Sequence, residues 1–446
     1  MRIFIDCTST FSAGINTGIE RVVRNVVKHA ASAGPRLGVE CQAVVLAGDR
    51  YTPVFTIEYD RGKQRGFALR SAANKGYSLF VRKLARLLPR AWQPFLTGSK
   101  HEPSLARLVV SLLVPLQRVS SMARQAAQRF SPAQPAIEFR RGDVLLLADS
   151  VWNYAPWAAV QAARSAGVHI AAIVYDIIPV THAQFFAPSS REKFTAALPL
   201  LLRNADTFLC ISAYTQAQLQ AYHAAQPNAA TLGPKFFCNF TLGVELDHLV
   251  SETQARTKIG SVFSPARPVY LAVGTLEPRK NHAYLLQVFQ KLWDAGNNSA
   301  LLIVGRVGWM CEELLETIQR HPGLGQQLFF MDDVGDAELD YCYVHARALL
   351  FPSLVEGFGL PIIEALRRGL PVFASDIPVF REVGGEYLVY FDPATPASLA
   401  GLLQEYEASG TYPARPPVDF NWPDWAQSTT ELLSQLVATH SAKVTP

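Results

Sequence analysis

Short apolar runs alternate with amphipathic helical stretches in two separate blocks of this chain, and that alternation constrains the fold more than any other feature. In the first block Arg2–Asp6 reads as a strand, and Gly18–Ser32 as a helix with Ile19, Val22, Val23, Val26 and Val27 on one face. Val39–Leu46, Asp143–Leu147, His169–Val174 and Thr207–Ile211 are further strands. The rhythm restarts at Pro268–Val273 and continues through Ala300–Val304, Leu328–Met331, Ala348–Phe351, Val372–Ser375 and Tyr387–Phe391. Helices are expected at about Asn281–Ala295, Cys311–Arg320, Asp336–Ala346 and Gly359–Gly369. Strands spaced by helices imply βαβ units and parallel sheets. The expectation is therefore an α/β protein with two doubly wound domains, residues 1–245 and 268–415, joined by 246–267. Residues 416–446 carry a last helix, about Trp422–Val437, expected to return to the first domain. Ligands of such sheets bind beyond the carboxyl ends of the strands, so two facing domains place the site in the cleft between them.

Composition narrows the class. Hydrophobic residues make up 49% of the 446 and charged residues 17%, as in a globular chain. The six cysteines are scattered without a C-x-x-C pair, which disfavours a disulfide scaffold or a zinc site and fits a reducing compartment. The start reads directly into a strand, without signal-peptide character, and no apolar run reaches the ~20 residues of a membrane span. A cytoplasmic protein is expected. The net charge of +4 hides an asymmetry: residues 61–130 hold fourteen Lys/Arg and one acid, leaving −9 for the rest. This basic insertion, about 61–135, breaks the βα rhythm. Phe80, Val81, Leu84, Leu87 and Leu88 share a helical face there, with Arg82, Lys83, Arg86 and Arg90 around it. Such a helix suits an anionic bilayer surface or serves as plain cover over the first sheet, and both readings stand. No nucleic-acid-binding motif is present.

The chemistry concentrates in Glu356-Gly-Phe-Gly-Leu-Pro-Ile-Ile-Glu364, directly after the strand Ala348–Phe351. Strand, glycine turn and helix start together make an anion site, because the first helical N–H groups have no internal partner. Glu356 stands at the mouth and Glu364 further along the helix, suited to a polyhydroxylated group at one end of a diphosphate and a ribose at the other. A second element, Val273-Gly-Thr-Leu-Glu-Pro-Arg-Lys-Asn281, supplies two adjacent cations, Arg279 and Lys280, to clamp phosphates.

With Gly305-Arg306 and Phe391-Asp-Pro393, these stretches resemble the retaining GT-B enzymes of glycosyltransferase family 4. The likeness is strongest over 268–393. Ile5–Arg21 looks like the opening of the bacterial surface-polysaccharide branch, whose members include many mannosyl- and rhamnosyltransferases. The resemblance implies a GT-B fold of two Rossmann-like domains. It implies that Glu356 places the donor sugar, Glu364 accepts the ribose hydroxyls, and Arg279, Lys280 and the Phe358-Gly359-Leu360 amides hold the diphosphate. Gly274 belongs to the same donor stretch, Gly18 admits the phosphates from the opposite domain, and Arg306 and Val334 flank the base. One departure is Val174-Tyr-Asp-Ile-Ile-Pro179, where the branch often reads His-Asp and this chain reads Tyr175-Asp176. Asp176 remains a candidate catalytic group beside Glu356, or a strand-end cap, and His182 lies close enough in sequence to substitute.

The resemblance implies transfer of a hexose, mannose or a deoxyhexose such as rhamnose favoured, from a nucleotide-diphosphate sugar, a GDP-sugar favoured, to a lipid-linked or glycan acceptor in bacterial surface-polysaccharide synthesis. No cofactor is expected, since cations at the phosphates replace a divalent metal and no D-x-D motif sits in a suitable loop. The competing readings are a catalytically silent sugar-nucleotide-binding partner, motivated by Tyr175, and a phosphorylase or epimerase of similar shape.

Overall fold

A computed structural model describes residues 1–12, 18–55, 57, 135–227, 229, 233–245, 259–263 and 267–444. The basic insertion and most of the segment 246–267 lie outside the described residues.

Two sheets carry the molecule. The first has the order β3-β2-β1-β4-β5-β6-β7, built from Arg2–Asp6, Glu40–Ala47, Arg50–Pro53, Val144–Leu147, His169–Val174, Thr207–Cys210 and Phe236–Asn239 as β1 to β7. Every pairing in it is parallel except β2 with β3. The second has the order β10-β9-β8-β11-β12-β13, from Val269–Val273, Ala300–Val304, Leu328–Met331, Ala348–Phe351, Val372–Ser375 and Leu388–Phe391 as β8 to β13, and is parallel throughout. That is the doubly wound order, with its switch point between β8 and β11. Every residue of β4, β5, β6, β9, β11 and β12 is buried, as strands covered by helices on both faces must be. The two elements singled out in the sequence follow β8 and β11, so the switch point is where they meet.

The helix Gly18–Arg36 buries Val22, Val23, Val26 and Ala30 against the first sheet. Its outer neighbour is the last helix, Trp425–Val444, whose Trp425, Leu432, Leu433 and Leu436 join the same core. The chain crosses that helix at Gly243, where a Cβ would lie 2.6 Å from the backbone of Trp425, so only glycine fits. Trp422 Nε1 donates to the Leu242 carbonyl at 2.8 Å, and Ser428 Oγ to that of Thr241 at 2.5 Å. The C-terminal helix is thereby tied to the strand-to-strand passage out of the first domain. Among the described residues no helix is long and apolar enough to cross a membrane.

Candidate active site

Three carboxylates and two cations converge between the sheets. After β8 the chain turns through Pro278–Lys280, and Asn281 takes a left-handed conformation (φ 56°) before the helix His282–Asp294 begins. That turn throws Arg279 and Lys280 towards the end of β11. Arg279 Nη1 lies 2.5 Å from Glu356 Oε2, and its Nη2 lies 2.6 Å from Glu277 Oε1. Lys280 Nζ pairs with the other oxygen of Glu356 and rests 5.0 Å from the Phe351 ring centroid. Leu354 N–H donates to the Arg279 carbonyl at 2.8 Å, locking the two loops together.

The electrostatics follow from burial and pairing. Glu356 is only 6% exposed; burial alone would raise its pKa, but Arg279 and Lys280 hold it down to about 2. Glu277 moves up, because burial outweighs Arg279 there. Burial also raises Asp176, against the opposing pull of Arg279. Lys280 moves down through burial in spite of Glu356. The centre thus holds one carboxylate whose cations outweigh its burial and two whose burial outweighs theirs.

Asp176 arrives from the first domain at the end of β5, its Oδ1 accepting from Ile178 N–H at 3.0 Å. The approach of the two domains depends on Gly357. A Cβ there would stand 2.3 Å from the Tyr175 carbonyl oxygen and 3.1 Å from Asp176 Cβ. The Gly357 carbonyl accepts from Ser212 Oγ at 2.8 Å and Thr215 Oγ1 at 3.2 Å, both on the first domain. Tyr175 turns its ring inward, and its hydroxyl donates to the Ala148 carbonyl at 2.7 Å. It therefore packs the first domain instead of facing the cleft. His182 pairs with Thr181 Oγ1 at 2.9 Å and stacks on Phe185.

The remaining expected residues take different places. Gly359 (φ 119°) caps a helix that spans Leu360–Leu366, shorter than the expected Gly359–Gly369. Phe358 is buried with its ring against Trp422, so the turn offers backbone and not a side chain. Glu364, 5% exposed, accepts from Tyr343 Oη at 2.8 Å and pairs with Arg21 Nη1 at 2.7 Å. Gly274 lies against the Lys280 stem, and its carbonyl oxygen would be 1.8 Å from a Cβ at Gly305, so β8 and β9 end in a forced glycine contact. Arg306 and Val334 are half-buried in the loops after β9 and β10. Gly18 is exposed at its helix start, with open space where a Cβ would be. Sequence reasoning missed Arg21, Tyr343 and Glu277 as site residues. Arg21 and Glu277 stood inside quoted motifs, whereas nothing in the sequence pairs Tyr343 with Glu364.

Comparison with known proteins bears on the family and the fold. Residues 255–416 match the glycosyl transferases group 1 family. The serotype-specific mannosyltransferase WbdA of Escherichia coli is 34% identical over 310 residues, 68% of this chain and 38% of WbdA. The O-antigen chain mannosyltransferase B of Escherichia coli is 33% identical over 169 residues, 37% of this chain and 44% of that protein. The chain thus spans less than half the length of these relatives. Among solved structures, sucrose-phosphate synthase from Thermosynechococcus elongatus superposes with a TM-score of 0.55 at 16% identity, covering 99% of this chain and 97% of that one. Anabaena HepE in complex with UDP and glucose gives a TM-score of 0.52 at 16% identity over 100% of this chain and 98% of that one. The fold is GT-B, and the likeness to O-antigen mannosyltransferases read from the sequence is borne out.

Proposed function

We propose that this chain is a retaining, metal-independent hexosyltransferase of bacterial surface-polysaccharide synthesis. It moves mannose, or a deoxyhexose such as rhamnose, from a GDP-sugar to a lipid-linked or glycan acceptor. The observation that carries the reading is Glu356, buried between Arg279 and Lys280 and facing Asp176 across the domain boundary. Mannose is favoured because WbdA and the O-antigen chain mannosyltransferase B are mannosyltransferases.

Breaking the anomeric C–O bond leaves positive charge on the sugar and negative charge on the departing diphosphate. Fixed cations beside that diphosphate stabilise the transition state more than the ground state. Lys280 carries three N–H donors, and Glu356 takes one of them. The others, with the amides of the Gly359 turn, would meet the phosphate oxygens. Glu356, held ionised, fits the sugar hydroxyls and the developing positive charge. In the retaining reading the acceptor oxygen attacks the face the phosphate leaves, and a phosphate oxygen takes the acceptor proton. The touching domains exclude water and limit donor hydrolysis.

The experiment is incubation of the purified protein with GDP-mannose, GDP-rhamnose, UDP-glucose and dTDP-rhamnose and a mannosylated lipid acceptor, with proton NMR of the product. The reading expects transfer from one GDP-sugar with the donor's anomeric configuration kept, and unchanged transfer in excess EDTA. An inverted product or abolition by EDTA would overturn the mechanism, and no transfer from any donor would favour the silent-partner reading. Peripheral membrane contact through 61–130 belongs to the same proposal. Co-sedimentation with anionic vesicles should fall when that segment is deleted, and unchanged co-sedimentation would remove it.

A further inference from the structure

The two ends of the Glu356–Glu364 segment are held from different domains. Glu356 is gripped by cations of its own domain, whereas Glu364 is gripped by Arg21, on the helix Gly18–Arg36 of the first. Arg21 Nη1 lies 2.7 Å from Glu364 Oε1, and Tyr343 Oη donates to Oε2 at 2.8 Å. Tyr343 is itself covered by the Arg368 guanidinium, 5.3 Å from its ring centroid, and Arg368 Nη1 donates to the Glu364 carbonyl at 2.9 Å. Both carboxylate oxygens keep a lone pair, so a diol is accommodated without breaking either contact. Arg21 is three residues beyond Gly18, hence on the same side of the helix whose start faces the donor cleft in the reading above.

We propose that Arg21 is a positioning residue of the donor site: reaching across from the first domain, it fixes the Glu364 carboxylate for the ribose, so the nucleotide is gripped fully only when the domains are together. This rests on the reading of Glu364 as the ribose ligand. Without Arg21 the buried carboxylate keeps the Tyr343 hydroxyl as its direct partner, with Arg368 behind it on the Glu364 carbonyl and the Tyr343 ring, so its orientation is held from one side only. Nucleotide recognition and domain closure then share one ion pair, which is a coupling free energy between two sites.

The test is a double-mutant cycle on the full chain with Arg21→Ala, Glu364→Ala and the pair together. It measures GDP and UDP affinity by calorimetry, donor KM and kcat by transfer, and the melting midpoint. Arg21→Ala is expected to weaken nucleotide affinity and raise donor KM about tenfold, within the usual range of couplings between sites, with a much smaller change in kcat. The double variant should be no weaker than Glu364→Ala alone. Arg21→Lys, which keeps the charge, should recover part of the affinity. A lower midpoint with unchanged KM and affinity would make Arg21 a plain structural tie and overturn the proposal, as would full additivity. If Arg21→Ala does not fold, Arg21→Gln and Arg21→Lys carry the same comparison. Glu364→Ala without effect on nucleotide affinity would sink the ribose reading. Glu364→Ala weakening it while Arg21→Ala leaves it intact would sink the Arg21 proposal alone.

Discussion

Glu356 is ionised because Arg279 and Lys280 overcome its burial, and that balance has two consequences. Glu356→Gln keeps the shape and removes the charge. Transfer should fall by about 10²-fold or more, the usual worth of a fixed charge-stabilising group, with the circular dichroism spectrum unchanged. Transfer at the parent rate would remove Glu356 from the reacting centre. The second consequence is a stability difference between parent and Glu356→Gln that depends on pH. A carboxylate whose folded pKa is depressed contributes stability above its unfolded value, about 4.3, and loses it as pH falls towards the folded value. The difference in urea midpoint should be full at pH 6 and should shrink steadily below pH ~4.3 as the folded value, about 2, is approached. A difference of constant size down to pH 3 would contradict the assigned charge. The gathering of Glu356, Arg279, Lys280 and Asp176 was legible because each lies in the loop after a strand, within a recognisable run. Arg21 and Tyr343 were not, because their partner, Glu364, is chosen by how helices from different parts of the fold come together.

The strands were the easiest elements to read, because fully buried parallel strands are continuous apolar runs bounded by helices. β3 and β7 escaped: each is four residues long, lies at an edge of the first sheet and is mostly half-buried, so neither is the fully buried run that marks an inner strand. The helix after Gly359 was expected to run to Gly369, but regular helix ends at Leu366 and a turn through Gly369 (φ 72°) leads into β12. The glycine turn before it was read as a phosphate cradle. Its first glycine has a further duty, since Gly357 is where the backbone of one domain touches the other. Gly357→Ala would set a methyl 2.3 Å from the Tyr175 carbonyl oxygen, so the domains must part to admit it. Overpacking of this kind costs about 1–3 kcal/mol, here charged to the contact between domains. Transfer should fall at least tenfold, by roughly 1.4 kcal/mol in the barrier, while GDP affinity changes less. Equal losses in both would place Gly357 in nucleotide binding instead.

At the scale of the molecule, the domains meet through contacts that surround the site. Glu382 of the second domain accepts from the Ala213 and Tyr214 N–H groups at 2.6 and 2.9 Å, capping the helix Ala213–Ala224 of the first. On the other side Trp309 Nε1 donates to the Phe185 carbonyl at 2.8 Å, and its ring stacks on Phe186 at 5.7 Å. Trp309 lies in the Arg306 loop of the second domain and Phe185 in the stretch after Asp176 of the first, so this clasp joins the loops that follow β9 and β5. Trp309→Ala should loosen closure and raise the ratio of donor hydrolysis to transfer, measured as free against acceptor-bound mannose. An unchanged ratio would mean that the clasp does not govern water access. The two-domain plan was legible from the repeated βα rhythm, but these contacts were not, since they join residues more than a hundred positions apart. In the proposed mechanism Lys280 binds the donor diphosphate while Glu356 acts on the sugar. Calorimetric titration of GDP into the parent, Lys280→Ala and Glu356→Gln separates the two roles. Affinity should be about tenfold weaker in Lys280→Ala, or ~1.4 kcal/mol, and near parental in Glu356→Gln. Parental affinity in Lys280→Ala, or its loss only in Glu356→Gln, would contradict that mechanism.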